Sequence, residues 1–189
     1  MTKEPQIIKY GKFIAISSLI FGTILLLIYY LTMSTESAVF SYFLLIIVAI
    51  INFGFLIALV IKYFQSTEYK NQILKTIGIL LINIPIAVLY FYIVVSLTNI
   101  IRLKITNKTN TDLTNILIGG CEKKQIDKLK INESETIWIK IPNDCSIYAE
   151  YQIDGKIKSE KIFGYVTNMM GQKVSYEIGI ENKPLDTEF

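Results

Sequence analysis

The chain has 189 residues, 52% of them hydrophobic, with no histidine, two cysteines and a net charge of +3. Without histidine, the usual nucleophile–base triads are excluded and the commonest metal ligand is missing. Residues 102–189 hold 13 basic and 13 acidic side chains, while residues 1–101 hold six lysines against three glutamates. The neutral C-terminal part lacks the basic patch that nucleic-acid binding requires.

Three uncharged apolar runs fill the first half: Phe13–Leu31, Ala38–Ile61 and Ile77–Ile101. Each reaches the roughly 20 residues needed to cross about 30 Å of hydrocarbon. Residues 1–101 are therefore expected to form a bundle of three transmembrane helices, with the lipid bilayer as their solvent. The first run is read as a retained helix. Its apolar core exceeds the roughly 7–15 residues of a signal peptide, and Thr35-Glu36-Ser37 is a poor cleavage site. All six lysines flank the runs on one side, at the N-terminus and in the Lys62–Lys75 loop. Cytoplasmic loops are enriched in Lys and Arg. The N-terminus is accordingly expected in the cytoplasm and residues 102–189 outside it. Arg102, Lys104 and Lys108 count on the opposite side.

Within the runs, Tyr29, Tyr30, Phe40, Tyr42, Tyr63 and Phe64 fall near the expected membrane boundaries, where amphipathic rings are favoured. Tyr90–Tyr92 lie deeper and are expected to pack on a neighbouring helix. Asn52 and Asn83 are the polar residues well inside the second and third runs. They are read as an intramembrane hydrogen-bond contact; the alternative is a polar path for an ion or small ligand. No ionisable residue marks such a path. Pro85 cannot donate to the helix ladder and predicts a kink near Leu81–Pro85. Gly22, Gly54 and Gly78 offer thin points for close helix approach, without a GxxxG pair.

After residue 101 the period changes from helical to two. Ile137, Ile139 and Ile141 alternate with polar or bulky neighbours, as do Ile147, Ala149, Tyr151 and Ile153, and then Val174, Tyr176, Ile178 and Ile180. Such alternation of β-branched and aromatic residues marks half-buried strands. Asp154-Gly155 is a hairpin signal, because a type I′ turn needs positive φ at both central positions. Further strands are expected at Arg102–Thr106, Leu113–Ile118, Gln125–Leu129 and Ile157–Val166. Seven short strands predict a small all-β antiparallel sandwich over residues 102–189.

The stretches ITNKTNTDLTNILI and IDKLKINESETIWIKI resemble bacterial extracytoplasmic immunoglobulin-like modules. Those read as a strand, an Asn/Thr-rich turn, a second strand and a Leu-x-x-Gly-Glu-Ser stretch feeding a further strand. Leu129, Glu133 and Ser134 match that stretch, and Asn132 stands where the family often has Gly. The resemblance covers Ile105–Ile141 and implies adhesion or scaffolding rather than one activity.

Cys121 follows one expected strand and Cys145 precedes another. A disulfide between them is expected, and in an oxidising compartment it would close a loop of about 25 residues. The other reading is two separate buried thiols. Neither a CxxC pair nor a phosphate cradle of the G-x-x-x-x-G-K-[ST] or G-x-G-x-x-G type occurs. Asp127, Glu133 and Glu135 show no paired catalytic spacing. No cofactor and no metal are expected. Asn107-Lys108-Thr109 and Asn132-Glu133-Ser134 match glycosylation sequons, expected to be unused in what reads as a bacterial chain. Met169 and Met170 sit in a loop that serves either as an adaptable contact surface or as core filling.

These features together predict a non-enzymatic bacterial membrane protein. Its helices would anchor an extracytoplasmic sandwich for protein interaction or envelope scaffolding, and would pack with a partner or with copies of the chain. A channel or transporter subunit built from oligomerised helices is the alternative.

Overall fold

The structure is a computed structural model that describes residues 5–153 and 155–180. The chain divides into two compact units, Met1–Val94 and Val95–Phe189.

The first unit is helical: α1 (Gln6–Thr32), α2 (Thr35–Gln65) and α3 (Lys70–Leu97), the last ending just inside the second unit. At 27, 31 and 28 residues, the helices are roughly 40–46 Å long, more than the hydrocarbon thickness of about 30 Å. All three are long and apolar enough to cross a membrane. Met33 turns the chain between α1 and α2 with φ 47°, its N–H donating to the Tyr29 carbonyl at 2.7 Å. Ser34 then caps α2 by accepting from the Ser37 N–H at 3.3 Å. Ser66 Oγ accepts from the Tyr69 N–H at 3.2 Å, just ahead of α3. Phe43, Ile50 and Phe53 on α2 are each more than 60% exposed. In water that face would be untenable, but lipid tails are as apolar as the side chains themselves.

The helical core is small and lies toward one end. Ile8, Ala15, Leu59, Ile73 and Leu80 form it, with Thr76 buried beside them. Gly11 is its thin point: a Cβ there would meet Thr76 Cγ2 at 2.9 Å and Leu59 Cδ1 at 3.0 Å. Gly22 lies under the Tyr90 ring, 3.7 Å from where its Cβ would be. Gly54 and Gly78, expected at close approaches, face open space instead. The α3 helix continues through Pro85.

The third apolar run overran its helix. It was expected to end at Ile101, but α3 stops at Leu97 and a strand begins at Ile100. Ile101 belongs to the β core, fully buried. An apolar residue satisfies lipid and a protein interior equally, so composition alone could not place this boundary.

Among its described residues the second unit holds seven strands: β1 (Ile100–Asn107), β2 (Leu113–Gly120), β3 (Lys124–Leu129), β4 (Ser134–Lys140), β5 (Cys145–Ile153), β6 (Lys156–Val166) and β7 (Lys173–Ile178). They make a three-stranded sheet, β4-β1-β7, and a four-stranded sheet, β3-β2-β5-β6. All pairs are antiparallel except β1 with β7, which is parallel. Alternate residues point inward, so Leu103, Ile105, Ile116, Ile118, Ile139, Ile147 and Ile178 are all fully buried. In the constant-type immunoglobulin order the first strand shares a sheet with the second; here it lies between the fourth and seventh.

Ile153 pairs with Lys156 at the β5–β6 turn, and Gly155 has φ 73°. Asp154 of the expected Asp-Gly signal lies outside the described residues. The last strand stops at Ile178, two residues short of the expected Ile180. Gly179 turns away at φ 95°, and Ile180 is 44% exposed.

Candidate functional site

Loops at the end of the sandwich where the chain enters β1 carry most of the residues singled out from the sequence. Cys121 follows β2 and Cys145 opens β5, which are neighbouring strands. Their sulfurs are bonded at 2.01 Å, with the Cα atoms 5.2 Å apart. Gly120 makes the approach feasible: it has φ 110°, and a Cβ would lie 1.7 Å from the Ser146 carbonyl oxygen. Beside the bridge, Glu122 accepts from the Lys140 N–H at 2.8 Å and pairs with Lys124 at 2.9 Å. That backbone hydrogen bond and then the Lys124 ammonium hold the Glu122 carboxyl below its ordinary range.

The junction between α3 and β1 lies at the same end. The Asn99 carbonyl accepts from the Ile141 N–H at 2.9 Å, and Asn99 Nδ2 donates back to the Val95 carbonyl at 2.8 Å. Residues 167–172, between β6 and β7, fold onto this junction. The Met169 N–H donates to Asn99 Oδ1 at 3.1 Å and the Gly171 N–H to the Thr98 carbonyl at 2.7 Å. The two methionines separate. Met170 is buried at 7% exposure, and its Sδ accepts from the Thr167 N–H at 3.2 Å. Met169 is 71% exposed with φ 68°. Only Met169 presents a surface. One rung beyond the junction, the Arg102 guanidinium stacks over the Trp138 ring at 4.2 Å, the two residues being register partners on β1 and β4.

At mid-sandwich, Glu160 on β6 accepts from the hydroxyls of Tyr151, at 2.5 Å, and Tyr176, at 3.0 Å. Burial, and then the adjacent carboxylate, raise both phenols, Tyr176 to about 12. The far end is closed by Asn107, which is fully buried. Its amide donates to the carbonyls of Thr111 and Leu129, each at 2.9 Å, and accepts from Thr109 N–H and Oγ1. An amide so engaged is not available for glycosylation in the folded domain. Nearby, the Lys128 ammonium holds Asp112 below the usual carboxylate range.

In the helical unit, Asn52 and Asn83 are brought together through Ser18. Asn83 Nδ2 donates to Ser18 Oγ at 2.9 Å and to the Ala15 carbonyl at 3.0 Å. Ser18 Oγ lies 3.2 Å from Asn52 Oδ1, and Asn52 Nδ2 donates to the Val48 carbonyl at 2.8 Å. One hydroxyl thus links all three helices. Tyr90 bonds Thr23 at 2.6 Å, joining α3 to α1. Phe91 and Tyr92, expected to pack like Tyr90, are instead about 70% exposed. Sequence reasoning named the asparagines but not Ser18, whose depth in the first run matches that of Asn83 in the third.

Among the described residues, no group of three His, Cys, Asp or Glu side chains could hold a metal ion. No protein-family model, curated protein or solved structure matches this chain.

Proposed function

We propose that this chain is a non-enzymatic, multi-pass membrane protein of the bacterial envelope whose three helices anchor an extracytoplasmic β-sandwich that binds or scaffolds another envelope protein. The observation that carries this reading is the bonded Cys121–Cys145 pair in a sandwich whose first strand starts three residues after an apolar helix. Disulfides persist in oxidising compartments and are rare in the cytosol. An outward sandwich meets that condition. The lysines of the N-terminal segment and of the α2–α3 loop support the same sidedness. Arg102 and Lys104 weigh less, because they are strand residues of a folded domain beyond the short loops for which the rule holds.

Asn83, Ser18 and Asn52 bond to one another, which supports a packing role for the two asparagines over a polar path.

Two measurements test the proposal. Protease added to intact cells should digest residues 102–189; protection until lysis would reverse the sidedness. Crosslinking in native membranes should join the sandwich to a second envelope protein. Adducts with lipid or with the chain itself alone would refute the scaffolding role.

A further inference from the structure

We infer that residues 167–172 form a membrane-contact loop, with Met169 seated in the headgroup layer of the bilayer that holds α3. The inference rests on α3 crossing the membrane, which is part of the reading above. From Ile77, the first residue of the uncharged run, about 20 residues span the hydrocarbon and reach Ser96. Thr98 and Asn99 therefore lie at the boundary between tails and headgroups.

The loop is fixed to those two residues. The Gly171 N–H bonds the Thr98 carbonyl at 2.7 Å, the Met169 N–H bonds Asn99 Oδ1 at 3.1 Å, and the Arg102 N–H bonds the Gln172 carbonyl at 2.9 Å. Gly171 lies so close against the junction that a Cβ there would come within 2.5–2.6 Å of the carbonyl oxygens of Thr98, Ile100 and Leu97. Met170 fills the core beneath, which leaves Met169 turned outward and 71% exposed. A flexible, unbranched apolar side chain held at that depth suits the irregular headgroup boundary.

The neighbouring rung has the matching chemistry. Arg102 lies over Trp138, and Lys173 and Lys140 stand opposite Arg102 and Ile100 in register. Tryptophan favours the interface, and Arg and Lys meet lipid phosphates there.

The test uses the full chain in phosphatidylcholine–phosphatidylglycerol nanodiscs, with no partner protein present. Met169→Cys and, as the control at the opposite end of the sandwich, Ile131→Cys are compared for reaction with a charged, water-soluble thiol reagent. Ile131 is 48% exposed, less than Met169, so exposure alone predicts faster reaction at 169. Seating in lipid predicts a rate about ten-fold slower there, because the reactive thiolate is disfavoured away from water. Equal or faster reaction at 169, in chain that resists carbonate extraction, overturns the inference and leaves the anchoring intact. Release by carbonate overturns both.

Discussion

Tyr176 on β7 donates its hydroxyl to Glu160 on β6 at 3.0 Å, tying together two edge strands that belong to different sheets. No backbone ladder joins β6 to β7. Tyr151 reaches the same carboxylate from β5. The Tyr176–Glu160 bond thus spans the two sheets on this side, and Tyr151 braces the carboxylate from within its own sheet.

This closure makes the domain sensitive to alkali. The folded state raises the Tyr176 phenol from 10.0 to about 12 and raises Tyr151 as well. A phenol raised on folding stabilises the native state fully below its unfolded value and loses that contribution as pH rises through its folded value. Stability should therefore fall between pH 10 and about 12. Tyr176→Phe should be less stable at pH 8 by about 1 kcal/mol, for one lost hydrogen bond, and should show a shallower decline above pH 10. Thermal unfolding followed by Trp138 fluorescence across this range checks both. Equal slopes for the two proteins would remove Tyr176 as the cause.

The Cys121–Cys145 bond closes a loop with a sequence separation of 24. Restricting the unfolded chain by such a loop contributes about 3 kcal/mol. The double Cys→Ser variant should unfold at correspondingly lower denaturant, with the helical signal unchanged. Alkylation of wild-type protein before reduction should label neither cysteine; two labelled thiols in the folded protein would contradict the bond.

Ser18 should matter more than its size. Removing its hydroxyl takes a donor from Asn52 and an acceptor from Asn83. Intramembrane hydrogen bonds are each worth about 0.6–2 kcal/mol. Ser18→Ala should lower resistance to detergent-induced unfolding by about that amount. Added to Asn83→Leu, it should cost less than the sum of the two single changes, since both break one contact. Full additivity would show that Ser18 and Asn83 act independently.

The three alternating segments foretold strands β4, β5 and β7 because period two is set by the pleat itself, and Ile139, Ala149 and Tyr176 face inward as the pattern requires. The three helices were legible because hydrocarbon demands long uncharged runs. What escaped depends on contacts across the chain. Gly11 and Gly54 look alike in sequence, yet one meets Leu59 and the other meets nothing. Asn107 reads as a turn residue or a sequon, and only its placement beneath Leu129 shows that it clamps the loop. Glu160 reads as one more solvated charge on an edge strand until Tyr151 and Tyr176 converge on it.

Gly171 gives the sharpest mutational prediction. Any side chain at 171 would press on three carbonyl oxygens, those of Leu97, Thr98 and Ile100, at 2.5–2.6 Å. These are backbone atoms at the α3–β1 junction. They cannot yield as a flexible side chain would, so the loop must lift and break the Gly171–Thr98 and Met169–Asn99 bonds. Overpacking of this kind typically costs about 1–3 kcal/mol, and the two lost bonds add about 1 kcal/mol each. Gly171→Ala should therefore destabilise the sandwich by about 3–5 kcal/mol. Gly155→Ala, where a Cβ would meet nothing but φ is 73°, should cost about 1 kcal/mol from backbone strain alone. Denaturant unfolding of the two variants side by side separates crowding from conformation. Similar losses would mean that the loop at 171 can shift freely and that the junction is not tightly packed.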